Sequence, residues 1–263
     1  MRSAVARSAL LTVVVFAAAC GGSEDQSSGS PPPPPPPPPT ASTATEPIVG
    51  ATDVGVYLVR DDKLGFAQRS VGVTSLIAKA TLEELLAGPT AEDKEAGLSS
   101  DVPPNTTISS FDVEGGTARV ELSNPLDELG TMQVVQTLTG LPDVDRVRLE
   151  GKEYTSADTE DALPAILVEA PAPGATVTSP LTIGGSANTF EATFMVELRP
   201  DQGKPLYKDF VTATSGNGTR GTFEKTLDFM VDRERPGTLV VYENSAEDGS
   251  VVNEVEIPVT IQP

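Results

Sequence analysis

Residues 74–90 read TSLIAKATLEELLAGPT. Ile77, Ala78, Leu82, Leu85 and Leu86 recur at the three- and four-residue spacing of one helical face. Thr74 or Ser75 offers a hydroxyl to cap the start, and Gly88-Pro89 supplies the stop. Thr90, with Asp93 three residues on, has the spacing of a second, short capped helix. The chain before this helical stretch has the period of strands. VGVYLVR (54–60) alternates Val54, Val56 and Leu58 with Gly55, Tyr57 and Val59, Asp61-Asp62 makes a polar turn, and LGFAQRSV (64–71) returns as its partner. A helix inserted between strand pairs decides the class of this part of the chain.

Further on, DVPPNT is a loop, TTISSFDV a strand, Glu114-Gly115-Gly116 a turn and TARVEL the second arm of a hairpin. The spacing predicts a helix from about Thr131 to Gly140 that buries Met132, Val135 and Leu138, and RVRLEG with KEY a last short strand pair. Strands, helices, strands, helix and strands in that order give an α+β domain over 51–157, its helices packed on one face of a mixed sheet. TSADTEDALPA is polar and acidic without periodicity, so 158–164 reads as a linker.

From 165 to 263 only strand pattern remains. ILVEA, LTIGGSA, TFMVELR, LYKDFVTAT, GTFEKTLDF, GTLVVYEN and VNEVEIPVTI are seven runs separated by turn residues such as Asp201-Gln202-Gly203, Gly216-Asn217-Gly218 and Glu247-Asp248-Gly249. Seven short strands in one domain predict an all-β immunoglobulin-like sandwich. The cysteine pair and core tryptophan of antibody domains are missing, so Phe194, Phe210, Phe223, Phe229 and Tyr242 are the expected core fillers.

The first fifty residues are of another kind. Arg2 and Arg7 precede an apolar run through Leu10, Leu11, Val13, Val14, Val15 and Phe16, and Ala17-Ala18-Ala19 gives the small side chains before a cleavage site. This is the pattern of an export signal over 1–19, too short to span a bilayer. Gly, Ser, Thr and Pro dominate residues 20–50, which have too few apolar side chains to form a core. Nine prolines, Pro31 to Pro39, would extend about 28 Å as polyproline II at roughly 3.1 Å per residue. The segment reads as a disordered, proline-rich spacer.

Composition excludes several function classes. The chain has no histidine and one cysteine, which removes Ser-His-Asp and Cys-His catalysis, His-ligated zinc and any internal disulfide. Asp and Glu number 38 against 18 Lys and Arg, a net charge of −20. Beyond Cys20 the balance is 16 cations to 38 acids, or −22. No cationic footprint for nucleic acid is present. Asp143-Val144-Asp145 and Glu247-Asp248-Gly249 fall short of a calcium loop, and Asn105-Thr106-Thr107 and Asn217-Gly218-Thr219 read as polar loops. No catalytic residue, metal site or cofactor is expected. The abundant carboxylates have no placement that would nominate a glycosidase pair.

Three resemblances add to this. Ala17-Ala18-Ala19-Cys20-Gly21 resembles a bacterial lipobox, with Ala17 where leucine is usual. The resemblance implies diacylglycerol on Cys20 and cleavage before it. LEELLAGPT, SDVPPNTTI, TARVELS and VVQTLTGLPDVDRVRLEGK resemble, in this order, the GerM-type domains of sporulation and germination proteins, though Glu121 stands where aspartate is usual. VEAPAPGATVTSPLTIGGSANTFEATF, GTFEKTLDF and SAEDGSVVNEVEIPVTI resemble the immunoglobulin-like partner of such domains. Together they imply a lipid-anchored, extracytoplasmic, non-enzymatic protein, held to the membrane through Cys20 and acting with an envelope protein partner or by self-association in assembling or regulating an envelope complex. A binding module for a cell-wall polymer or extracellular ligand is the alternative, and a carboxylate-based wall hydrolase a third reading.

Overall fold

The computed structural model describes residues 50–74 and 76–263. The expected export signal, Cys20, all but the last residue of the expected spacer, and Ser75 lie outside the described residues. The first strand pair is a hairpin, β1 (Ala51–Arg60) with β2 (Lys63–Gly72), in register from Ala51 opposite Gly72 to Arg60 opposite Lys63. Asp61 and Asp62 both take positive φ, 51° and 58°, the conformation of a two-residue turn whose twist suits the strands. Helix α1 (Ile77–Ala87) starts from Leu76 without a side-chain cap. The Thr74 hydroxyl accepts from the Leu76 N–H instead (3.2 Å), so Thr74 orders the entry rather than capping the helix. Gly88 ends it at φ 80°, donating to the Leu85 carbonyl. Helix α2 (Ala91–Glu95) has the capping box expected of Thr90 and Asp93.

Strands β3 (Ile108–Glu114) and β4 (Thr117–Leu122) form the second hairpin, turning through Gly115 and Gly116 at positive φ. Helix α3 (Glu128–Thr139) begins three residues earlier than its apolar spacing predicts, because Asp127 caps it through the Gly130 N–H (2.7 Å). Val135 and Leu138 are buried as expected with Val134 beside them, whereas Met132 is half-buried and turned to a second cluster. From α3 the chain enters β5 (Arg146–Leu149), parallel to β4, and β6 (Lys152–Thr155).

The strands do not join into a single sheet. β1 and β2 stand apart from a four-stranded mixed sheet of order β3-β4-β5-β6. One core unites them: Val56, Leu58 and Ala67 of the hairpin, Leu82 and Leu85 of α1, Val134, Val135 and Leu138 of α3, and Ala118, Val120, Val147 and Leu149 of the sheet. The helices thus bury apolar surface against the hairpin as well as against the sheet.

The polar stretch after β6 contains a 3-10 helix, Ser156–Ala162, started by Thr155 and Asp158. The second domain follows as β7 (Ile166–Ala170), β8 (Thr176–Val177), β9 (Leu181–Ala187), β10 (Thr193–Pro200), β11 (Tyr207–Thr212), β12 (Gly221–Leu227), β13 (Arg235–Asn244) and β14 (Val251–Ile261). These form a sandwich of a five-stranded sheet, β11-β10-β13-β14-β8, and a three-stranded one, β12-β9-β7. It is the expected immunoglobulin-like architecture, with one extra strand: β8 is two residues long and pairs parallel to the end of β14. Phe194 and Phe223 meet edge to face across the two sheets, ring centroids 4.9 Å apart, and Phe229 joins the same core.

Two expected core fillers are placed differently. Phe210 is 56 % exposed. Val211 pairs with the inward Phe194, so alternation turns Phe210, opposite Met195, outward. Tyr242 is buried, but on the outer face of the sheet, where its hydroxyl donates to Glu197 (2.7 Å). Arg199 and Lys208 also bond Glu197, at 2.7 and 2.8 Å. Burial alone would raise the Glu197 pKa, but these three donors outweigh it and hold the carboxyl at about 2. The unfolded carboxyl titrates near its ordinary ~4.3. The stability it confers is therefore complete above that value and disappears as pH falls toward the folded pKa, about 3 kcal/mol in all. In urea titrations the stability gap between the parent and Glu197→Gln should be widest above pH 5 and close by roughly that amount near pH 2. A gap that stays constant across this range would contradict the assignment.

Candidate functional site at the domain seam

Strand β1 is buried on both faces from Val56 to Val59. Val56 and Leu58 serve the first domain's own core, while Tyr57 faces the other way. Its ring packs edge to face on Phe66, centroids 5.7 Å apart. Gly55 makes this possible, since a Cβ there would lie 2.4 Å from the Phe66 ring. Around the two rings gather Leu64, Leu129 and Met132 from the first domain, Ala162 at the end of the 3-10 helix with Leu163 just after it, and Leu167 from β7. The seam between the domains is thus a small apolar core of its own.

Polar contacts fix its geometry. The Tyr57 hydroxyl donates to Glu169 of β7. Burial first, and then the neighbouring Glu169 charge, keep that phenol protonated far above its usual range. The Tyr57 N–H donates to Thr137 Oγ1 (3.0 Å) and its carbonyl accepts from Gln133 Nε2 (2.9 Å). The 3-10 helix binds both sides. Thr159 donates to Gln136 of α3 at 2.6 Å, and Glu160 accepts from Asn188 at 3.0 Å and Arg220 at 2.9 Å. Arg220 also donates to the Pro164 carbonyl (2.7 Å), and Lys63 to that of Asp161 (2.6 Å). Thr159 is fully buried, so the stretch expected to be a linker holds the domains together through hydrogen bonds.

At the end of the first hairpin Arg60 spans the seam. One terminal nitrogen donates to the Ala96 carbonyl (2.8 Å) and the other to the Glu256 carbonyl of β14 (3.1 Å). Two recesses flank it. One, of about 220 Å³, lies between the β1–β2 turn, β7 and β14; the other, of about 500 Å³, lies between that turn, the end of α2 and β14. The N-terminal half of β14 has β13 on one side only, since β8 pairs no earlier than Thr260.

The acidic stretches that fall short of a calcium loop, and the two Asn-containing loops, lie at turns. Asp248 accepts from the backbone and hydroxyl of Ser250, Asn105 and Asn217 take positive φ, and the Asp145 N–H bonds the Gly116 carbonyl beside the hairpin turn. Among the described residues no group of three or more His, Cys, Asp or Glu is placed to hold a metal, and no helix is long and apolar enough to cross a membrane. Sequence reasoning missed Tyr57, Arg60 and Thr159. The available signal for Tyr57 was that both phases of β1 are apolar.

Comparison with known proteins agrees with the architecture. Residues 53–155 match the family described as "Sporulation and spore germination". Residues 165–250 match the "Immunoglobulin-like domain of bacterial spore germination". Neither description names a reaction. Similar solved structures include the tandem GerMN domains of the sporulation protein GerM from Bacillus subtilis, with 18 % identity, TM-score 0.34, and coverage of 41 % of this chain and 42 % of that one. This chain therefore spans about two fifths of the tandem structure's length. The first GerMN domain of that protein matches at 25 % identity and TM-score 0.31, covering 39 % and 86 %. A candidate lipoprotein from Clostridium perfringens matches at 15 % identity and TM-score 0.29, covering 44 % and 95 %. No curated protein matches the chain.

Proposed function

Because the chain carries a sporulation and spore germination domain followed by an immunoglobulin-like domain of bacterial spore germination, we propose that it is a lipid-anchored, extracytoplasmic, non-catalytic protein that serves the assembly or regulation of a cell-envelope complex. The seam carries this reading. Two domains bound to one another by a shared apolar cluster and by hydrogen bonds on both sides of a 3-10 helix present two contact surfaces at a fixed separation, which suits a scaffold. The anchor in this reading is Cys20, with two or more acyl chains to hold a soluble body stably at the bilayer and the proline run as spacer. The strongly acidic body would itself be repelled by anionic lipid, so the membrane contact falls to the acyl chains.

Cell fractionation tests the anchor. The parent should partition with membranes and into the detergent phase, and Cys20→Ser should appear in the extracytoplasmic soluble fraction. Retention of that variant with membranes would refute the anchor. Crosslinking on intact cells should then capture a reproducible set of envelope proteins. Cosedimentation with purified wall and no protein partner would favour the wall-binding alternative.

A further inference from the structure

The turn between β9 and β10 holds Phe190 out of the fold, 61 % exposed. Glu191 and Ala192 after it both take left-handed φ, 53° and 56°, which is costly for residues other than glycine and asparagine. The Thr189 hydroxyl before it is buried with no partner, a second cost. The neighbours over-determine this shape. Glu243 accepts from the Phe190 N–H (2.9 Å), Asn217 Oδ1 from the Glu191 N–H (3.1 Å) and Asn188 Oδ1 from the Gly218 N–H (2.8 Å). The Ala192 carbonyl takes the Ala213 N–H (2.8 Å), and the Thr189 carbonyl the Asn217 N–H (3.0 Å). Strain maintained in this way clusters at contact sites, and an aromatic fixed in advance loses little entropy on docking.

Glu243 joins this turn to the β13–β14 hairpin. Its second oxygen accepts from Asn253, and it lies opposite Val252 in the ladder. Val251 and Val252 are both exposed, so three uncovered apolar residues surround one carboxylate. Residues 188–192 and 243–254 hold five acids, Glu191, Glu243, Glu247, Asp248 and Glu254, and no Lys or Arg. An aromatic with an aliphatic pair and a charged border has the composition of an interface core and its rim. We propose that the Phe190 turn is the docking point for a basic protein, Phe190 entering an apolar pocket rimmed by lysine and arginine. This rests on the complex-forming role proposed above and gives the partner its chemistry. A second copy of this chain is a poor occupant, because it would bring the same acids face to face. A glycan is a poor one too. Sugars are held by hydrogen bonds, and both Glu243 oxygens, both ends of the Asn188 amide and Asn217 Oδ1 are already engaged within the fold.

A photoreactive benzoylphenylalanine in place of Phe190 in the full chain, on intact cells, tests this surface, with the exposed positions Val113, Phe210 and Thr226 as controls. Position 190 should capture one basic protein that the controls do not. Purified, that protein should bind Phe190→Ala at least about tenfold more weakly than the parent, the loss expected of an anchor. Phe210→Ala, a similarly exposed aromatic, should bind as the parent does. Glu247→Lys/Asp248→Lys should also bind more weakly, and raising salt from about 50 to 500 mM should weaken the parent more than this charge variant. Capture of an acidic protein, of wall glycan or of a second copy at position 190 would overturn the proposal. So would equal capture at all four positions, or an unchanged affinity in Phe190→Ala. Capture at a control position with none at 190 would end this proposal and leave the complex-forming role standing. Capture at no position would count against both.

Discussion

A Tyr57→Ala chain is expected to unfold in two steps where the parent unfolds in one. Each domain has its own core, that of the first around Leu82, Leu85 and Leu138 and that of the second around Phe194, Leu198 and Leu239. What makes their unfolding cooperative is the cluster between them, and Tyr57 is its largest buried member. Truncating a buried aromatic side chain costs about 3–5 kcal/mol. Here the loss falls on the junction, because the Tyr57 ring contacts Phe66 and its hydroxyl contacts Glu169 of the other domain. Tyr57→Phe separates the two effects. It keeps the ring and removes only the hydrogen bond to a carboxylate, worth roughly 1.5–3 kcal/mol when shielded and less here because Glu169 is half-buried. Calorimetry should therefore give one transition for the parent, one at lower temperature for Tyr57→Phe, and two for Tyr57→Ala. A single, unshifted transition in the alanine variant would mean that the domains are coupled by the polar contacts of the 3-10 helix alone.

Local rules made most of the elements legible in the sequence. The Thr90–Asp93 box, the Gly88 stop, the Gly115-Gly116 turn and the seven longer strands of the sandwich each depend on residues a few positions apart, and each is found in the structure. The misses involve tertiary partners. An aromatic residue in a strand, Phe210 reads as core, but the strand's phase relative to Phe194 turns it outward. Asp127 starts α3 ahead of its apolar residues by capping. The 3-10 helix escaped notice because a three-residue turn with polar contacts has neither the 3.6 nor the 2.0 apolar period. The seam was the least legible part. Tyr57, Arg60 and Glu169 acquire their roles only when strands more than a hundred residues apart come together. A β1 that is apolar on both phases was the one local hint that something covers its second face.

The second large effect is expected at Asp93, whose side chain is only 8 % exposed beside an Arg69 side chain at 10 %. Asp93 accepts from the Thr90 N–H at 2.7 Å and from the Thr90 hydroxyl at 2.9 Å, closing the first turn of α2. It also pairs with the Arg69 guanidinium, tying that helix to β2. Burial alone would raise its pKa, but the bonds from Arg69 and Thr90 prevail and lower it. The stability it confers is thus present above the ordinary carboxylate range and lost as pH falls through the depressed folded value. Asp93→Asn retains an acceptor for Thr90, so capping suffers little. It leaves the buried Arg69 without its close partner, since Glu84 approaches no nearer than 4.0 Å. Breaking one side of a buried pair costs about 3–5 kcal/mol. Removing both charges in Arg69→Met/Asp93→Asn should cost less than Asp93→Asn alone, because no stranded cation remains in the fold. Urea unfolding of the two single variants and the double variant measures this directly. If the two single losses simply add, the pair has no coupling energy, and α2 is held to the hairpin by packing around Leu98 instead.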